Sequence, residues 1–304
     1  MPGAKVLRRP YLPRSGQHPA ACRTLGGGDA WSKRNYSVRM VRLVLVCMLT
    51  LSTVVSAQWI RYPDPRTPRT ADGKSNLTAP APRGADGKVD FSGIWEVDAD
   101  TVMPTDGRIR SKYMYNIAAD LPGGAPFQPW ARALYSERQK ALGVGAPSER
   151  CLPHGIPDAM VAYTLPFKIV QHPGVTIILY EEFNHWRQVF TDGRPLPDDP
   201  NPAWLGYSIG TWNRDDFVIT TAGFNDRSWL DAGGTPHTDA LRTTERLHRV
   251  DFGHMSAEFT FDDLKAYTQP WSAKVRFHLL PDTDLLEHFC DNEKWSTSGK
   301  STPH

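Results

Sequence analysis

The chain has 304 residues, 35 basic and 33 acidic, with 40% hydrophobic and 11% aromatic content, which is an ordinary composition for a globular protein. Nine of the basic residues and one of the acidic ones fall within residues 1–57, so the remainder holds 26 basic residues against 32 acidic ones, a net charge of −6. A mildly acidic body without a Lys/Arg cluster argues against nucleic acid as a partner.

In chain order, Arg39 and Arg42 precede an apolar run from Leu43 to Val55 and small residues ending at Ala57. Charge, apolar run and small residues in that order match a secretory signal peptide. Cleavage is expected near Ala57, with export to the periplasm or the medium, and Met40 stands where such a peptide begins. The run is shorter than the ~20 apolar residues that span a bilayer, so no stable membrane span is expected after cleavage. Of the four cysteines, Cys151 and Cys290 lie beyond the leader. Two thiols in an oxidising compartment most simply form one disulfide.

Residues 58–90 are dense in Pro, Gly and Asp-Gly turns and include two similar stretches, Pro68–Thr78 and Pro82–Ser92. Two short copies cannot stack a solenoid core. An extended arm is expected, with Leu77 and Phe91 as matching apolar pegs, both buried against the domain that follows.

That domain spans residues 91–295, and 296–304 read as a disordered tail. "FSGIWEVD" reads as the first strand, with Gly93 allowing close backbone approach. A helical insertion follows over residues 113–160, holding one or two helices. The clearest starts at Pro129, which suits a first turn, and ends before Gly143. From Phe167 the pattern turns to strands with tight turns. One long strand is expected from Val175 to Phe190, placing Tyr180, Glu182 and Trp186 on one face and Glu181, His185 and Arg187 on the other. Hairpins follow, turning at Asn213–Asp216, Asp251–Gly253 and Pro281–Asp284, the last setting His278 opposite Glu287. The fold class is therefore mainly β, an antiparallel up-and-down β-barrel, since closure is the economical way to remove sheet edges.

"GIW" at Gly93–Trp95, opening the first strand of such a meander, resembles the Gly-x-Trp start of the lipocalin and calycin barrels. The resemblance implies a lipocalin-like barrel, decorated here by the insertion. Across the body of the chain, "APAPRGADGKVDFSGIW", "FKIVQHPGVTIILYE", "GTWNRDDFVITTAGFND" and "FDDLKAYTQPW" resemble a family of uncharacterised exported bacterial proteins frequent in acidobacteria. That family carries no activity to transfer.

Candidate site residues come from the loop "GFNDRSWLDAGGTPHTDALRTTER", a long connection at a barrel mouth where ligands commonly bind. His237 is the candidate general base, oriented by Asp231, with Glu245 as the acid/base partner on the next strand. Asn225, Trp229, Tyr180, Glu182 and Trp186 are the candidate ligand contacts. No metal-ligand spacing, phosphate-binding loop, dinucleotide fingerprint or Gly-x-Ser-x-Gly is present, so no metal and no cofactor is expected. Two functions remain: a protein binding a small apolar or aromatic molecule in a barrel cavity, or a cofactor-independent lyase, hydratase or isomerase working at the mouth. Oligomeric state is not encoded in any of these features.

Overall fold

In the computed structural model, residues 63–98, 116–119, 121–162, 165–288 and 290 are described. The expected signal peptide, with Met40 and the expected cleavage site near Ala57, and the tail expected over 296–304, lie outside them. Nine strands form one closed barrel in sequence order: β1 (Gly93–Val97), β2 (Phe167–His172), β3 (Val175–Tyr180), β4 (Trp186–Phe190), β5 (Tyr207–Asn213), β6 (Asp216–Ala222), β7 (Arg242–Arg249), β8 (His254–Asp262) and β9 (Trp271–Leu279). The expected barrel is thus present, with helices α1 (Pro129–Lys140) and α2 (Asp158–Val161) inserted after the first strand. Pro129 stands at the first position of α1, where its missing N–H costs nothing.

One junction is parallel, which corrects the all-antiparallel expectation: Val189 of β4 lies opposite Ser208 of β5 and Phe190 opposite Ile209. Each antiparallel junction reverses strand direction, and a closed ring needs an even number of reversals. A nine-strand barrel therefore cannot close with every junction antiparallel. The odd junction falls where residues 191–206, with prolines at 195, 197, 200 and 202, cannot supply the donors of a sheet ladder. This segment instead returns along the barrel to its starting end. It is fastened there by Ala203 N–H to Gly223 O (2.9 Å) and Asn225 N–H to Ala203 O (2.9 Å).

The expected strand from Val175 to Phe190 is broken into β3 and β4 by a tight turn at residues 181–185. Phe183 and Asn184 both adopt positive φ, 56° and 53°, a conformation uncommon outside glycine. Contacts distant in sequence hold it: the Phe183 ring stacks on His288 at 5.7 Å, and Asn184 Nδ2 donates to His288 O at 3.2 Å. The break changes the faces, so Tyr180 and Arg187 point inward while Trp186 is exposed on the outer surface. The segment after Pro281 is also not the expected strand. Among the described residues its one ladder contact is a parallel bridge between Glu182 and His288, and His278 faces Glu96 and His254 across the sheet rather than Glu287.

Inward positions carry Trp95, Phe167, Ile178, Val189, Phe217, Ile219, Leu247, Phe259 and Phe277, all buried. Each such side chain contributes about 1.5–3 kcal/mol through removal from water. Packing is tight enough that a methyl group on Gly210 would stand 2.6 Å from the Phe217 ring. Side chains fill the barrel.

The arm crosses one end, here called the lower end. Its two copies fold alike: Thr70 N–H donates to Lys74 O and Gly84 N–H to Lys88 O, each at 2.9 Å. The positive φ that closes each loop falls on Gly73 (80°) and Gly87 (77°), where glycine is unstrained. The equivalent arginines each clamp a barrel turn. Arg69 Nη1 reaches Asp282 Oδ2 at 2.7 Å, and Arg83 binds both oxygens of Asp215 at 2.9 Å. Phe91 is fully buried, as expected, whereas Leu77 is only half-buried over Gly253. The insertion and the connection from Gly223 to Leu241 gather at the opposite, upper rim.

Candidate functional site

Four groupings of polar side chains lie inside or around the upper half of the barrel. Inside, Arg187 of β4 meets Glu245 of β7. Nη1 stands 3.1 Å from Oε2 and Nη2 2.5 Å from Oε1, both residues being sealed from solvent. Arg187 also donates to Ser208 Oγ and Thr221 Oγ1 at 2.9 Å. Burial works against the guanidinium's charge, but the Glu245 carboxylate outweighs it and raises the Arg187 pKa. Tyr180, deep beside this network, has its pKa pushed up to about 12 by burial. The charges are paired and enclosed, as buried charges must be.

At the rim, His154 lies between two carboxylates. Nδ1 bonds Asp158 at the start of α2, and Nε2 is 2.7 Å from Glu182 Oε2 without the alignment of a hydrogen bond. Burial alone would lower its pKa, but the two carboxylates dominate and push it up to about 10. It is therefore an imidazolium at neutral pH. A void lined by His154, Glu182, Tyr180 and His185 is only about 10 Å³, room for no more than one water.

The connection singled out from the sequence supplies the third grouping. Asp231 is fully buried and accepts Thr235 N–H on Oδ1 (3.0 Å) and both Ile117 N–H (3.0 Å) and Thr235 Oγ1 (2.9 Å) on Oδ2. Burial pushes its pKa up to about 7 despite these donors. His237 does not meet it. Nδ1 donates to Thr238 O at 2.9 Å, which leaves Nε2 to accept from Ser228 Oγ at 2.8 Å. Burial lowers the His237 pKa, so the ring is neutral. Ser228 Oγ is closed off by Gly155, where even a methyl group would come within 2.4 Å.

The fourth grouping borders an open cleft of about 370 Å³ between α1 and the connection after β6. Trp204, delivered by the returning segment, and Trp229 form its aromatic walls, with Leu134, Val144 and Leu152. The Arg227 guanidinium lies 4.9 Å from the Trp204 ring centre and that of Arg138 4.5 Å from Trp229. Arg138 also donates to Gly234 O at 3.0 Å.

The expected residues are thus dispersed. Glu245 and Tyr180 are inside the barrel, Glu182 belongs to His154, Asp231 and His237 serve separate networks, and Trp186 is on the outer wall. Asn225 caps a local turn through Arg227 N–H (3.1 Å). Only Trp229 lines the cleft. Trp204, Arg138, Arg150 and Arg227 carried no signal in the sequence, because no spacing relates the separate segments that border the cleft. Cys151 and Cys290 are joined in a disulfide, with Cα atoms 5.5 Å apart. Among the described residues no group of three or more His, Cys, Asp or Glu is placed to hold a metal, and no helix is long and apolar enough to cross a membrane.

No family model, no curated protein and no solved structure matches the chain.

Proposed function

We propose that this protein binds a small molecule with a flat aromatic or apolar body, and that the ligand sits in the upper-rim cleft rather than inside the barrel. The observation that carries this reading is the convergence of Trp204 and Trp229 on one open cleft of about 370 Å³. That volume lies within the range of small-molecule sites. The filled barrel favours the rim over the lumen. Acid/base turnover has less support, because His237, Asp231 and Glu245 are committed to three different partners.

The test is a thermal-shift and tryptophan-fluorescence screen of the purified protein against small aromatic compounds, repeated on Trp204→Ala. Trp204 is only partly buried, so the variant should fold. Hits that stabilise the parent and lose their effect in Trp204→Ala support the reading. Hits that bind both forms equally place the ligand elsewhere.

A further inference from the structure

Three guanidiniums line the cleft: Arg138 and Arg150, from α1 and the 3₁₀ turn Pro147–Arg150, and Arg227 from the connection after β6. Among the described residues none of the three has an ion-pair partner, although Glu137 and Asp226 border the same cleft. Arg66, Arg69, Arg83, Arg187, Arg194 and Arg246 are each paired with a carboxylate, and what sets these three apart from the other arginines without such a pair is that they line one cleft. The Arg138 and Arg227 guanidiniums each lie over a tryptophan ring, at 4.5 and 4.9 Å from its centre. A cation over an aromatic face is held by attraction to the ring, and its remaining N–H groups can still donate to a ligand. Arg138 is further fixed by its bond to Gly234 O and by its chain packing within 2.7 Å of where a side chain on Gly234 would begin.

We infer that the cleft recognises an oxyanion, so that its ligand is an aromatic or apolar molecule bearing a carboxylate or phosphate. This rests on the binding reading above and specifies its chemistry. Three cationic forks facing two carboxylates leave the cleft one positive charge in excess, on a body whose net charge is negative. The positive character is therefore local. Planar guanidiniums match the two oxygens of a carboxylate or the edge of a phosphate, and such pairs are stronger than neutral hydrogen bonds.

The test is isothermal titration with phenylacetate and indole-3-acetate against their neutral amides, and with phenyl phosphate. The acids should bind about tenfold or more tightly than the amides. Arg150→Ala and Arg227→Ala should each remove most of that preference, and Arg227→Lys should restore little of it because a lysine lacks the fork. A tighter fit for phenyl phosphate than for the acids would assign the anion as phosphate, and the reverse as carboxylate. Equal affinity for acids and amides, lost in Trp204→Ala, would overturn the anion inference while leaving the aromatic site intact. Affinity unchanged in both the arginine variants and Trp204→Ala, or no binding of any probe at millimolar concentration, would overturn both.

Discussion

Arg187 and Glu245 face each other inside the barrel, both sealed from solvent, so each charge is compensated by the other. Removing one partner leaves an uncompensated buried charge, at a cost of about 3–5 kcal/mol. Urea unfolding of Glu245→Ala should show a loss of that size, while Arg187→Met/Glu245→Leu should lose much less; equal losses would mean that packing, not charge, governs the site. His154 gives a pH signature. Its folded pKa, about 10, lies above the ~6.5 of an unfolded histidine, so the folded state holds the proton more tightly. The stability it contributes is complete below about pH 6.5 and is lost as pH rises toward about 10. Asp231, raised to about 7, acts in an adjoining window, with its contribution present below about pH 4 and lost by pH 7. The midpoint of thermal unfolding should therefore fall between pH 6.5 and 10, and His154→Gln should flatten that decline; an unaltered slope would assign the decline to other groups. Arg187, Glu245 and Asp231 were legible as polar positions on strands and loops, but not with the partners they have, and His154 carried no signal of its own. Glu245 lies 58 residues from Arg187, and nothing in either local sequence distinguishes an inward charge from a solvated one.

Among the elements, the two arm copies show how like sequence gives like geometry yet unequal energy. Both close the same turn and both send an arginine to a carboxylate at the lower end, one pair half-exposed and the other partly exposed, and pairs in contact with solvent are worth about 0–1 kcal/mol. The difference lies in the pegs. Phe91 is sealed and tilted against Trp212 and Phe217 at 5.9 and 6.2 Å, whereas Leu77 is half-exposed. Phe91→Ala should cost about 3–5 kcal/mol and Leu77→Ala about 1 kcal/mol, measured by chemical unfolding. Comparable losses would mean that the copies contribute alike. The arm, the first strand, α1 and most hairpins were readable because Pro, Gly and period-two patterning act locally. The turn at Phe183–Asn184 was not, since its left-handed residues are held by His288 rather than by glycine. The parallel junction was hidden for a related reason: a proline-rich run reads as a loop whichever way it carries the chain.

At the scale of the molecule, barrel closure and the disulfide act on different parts of the chain. The nine strands close through β1 and β9, pairing Trp95 with Leu279 and Val97 with Phe277, so the sheet has no free edge. Among the described residues, the segment after β9 gains no such ladder beyond the single Glu182–His288 bridge. It returns to the upper rim and is held through Leu286 N–H to Glu181 Oε2 (2.9 Å), the Phe183–His288 stack and the bond from Cys290 to Cys151. Because the cysteines are 139 residues apart, the chain-entropy model assigns the cross-link about 5 kcal/mol. Most of the loop it closes is barrel whose strands are held by their own ladders, so the benefit should concentrate in the rim. Reduction should lower the unfolding midpoint while leaving the far-ultraviolet β signal intact below the transition. Hydrogen exchange should then speed up at Phe183–His185 and around His154, and far less in β7 and β8. Uniform acceleration across all strands would show instead that the disulfide supports the barrel as a whole.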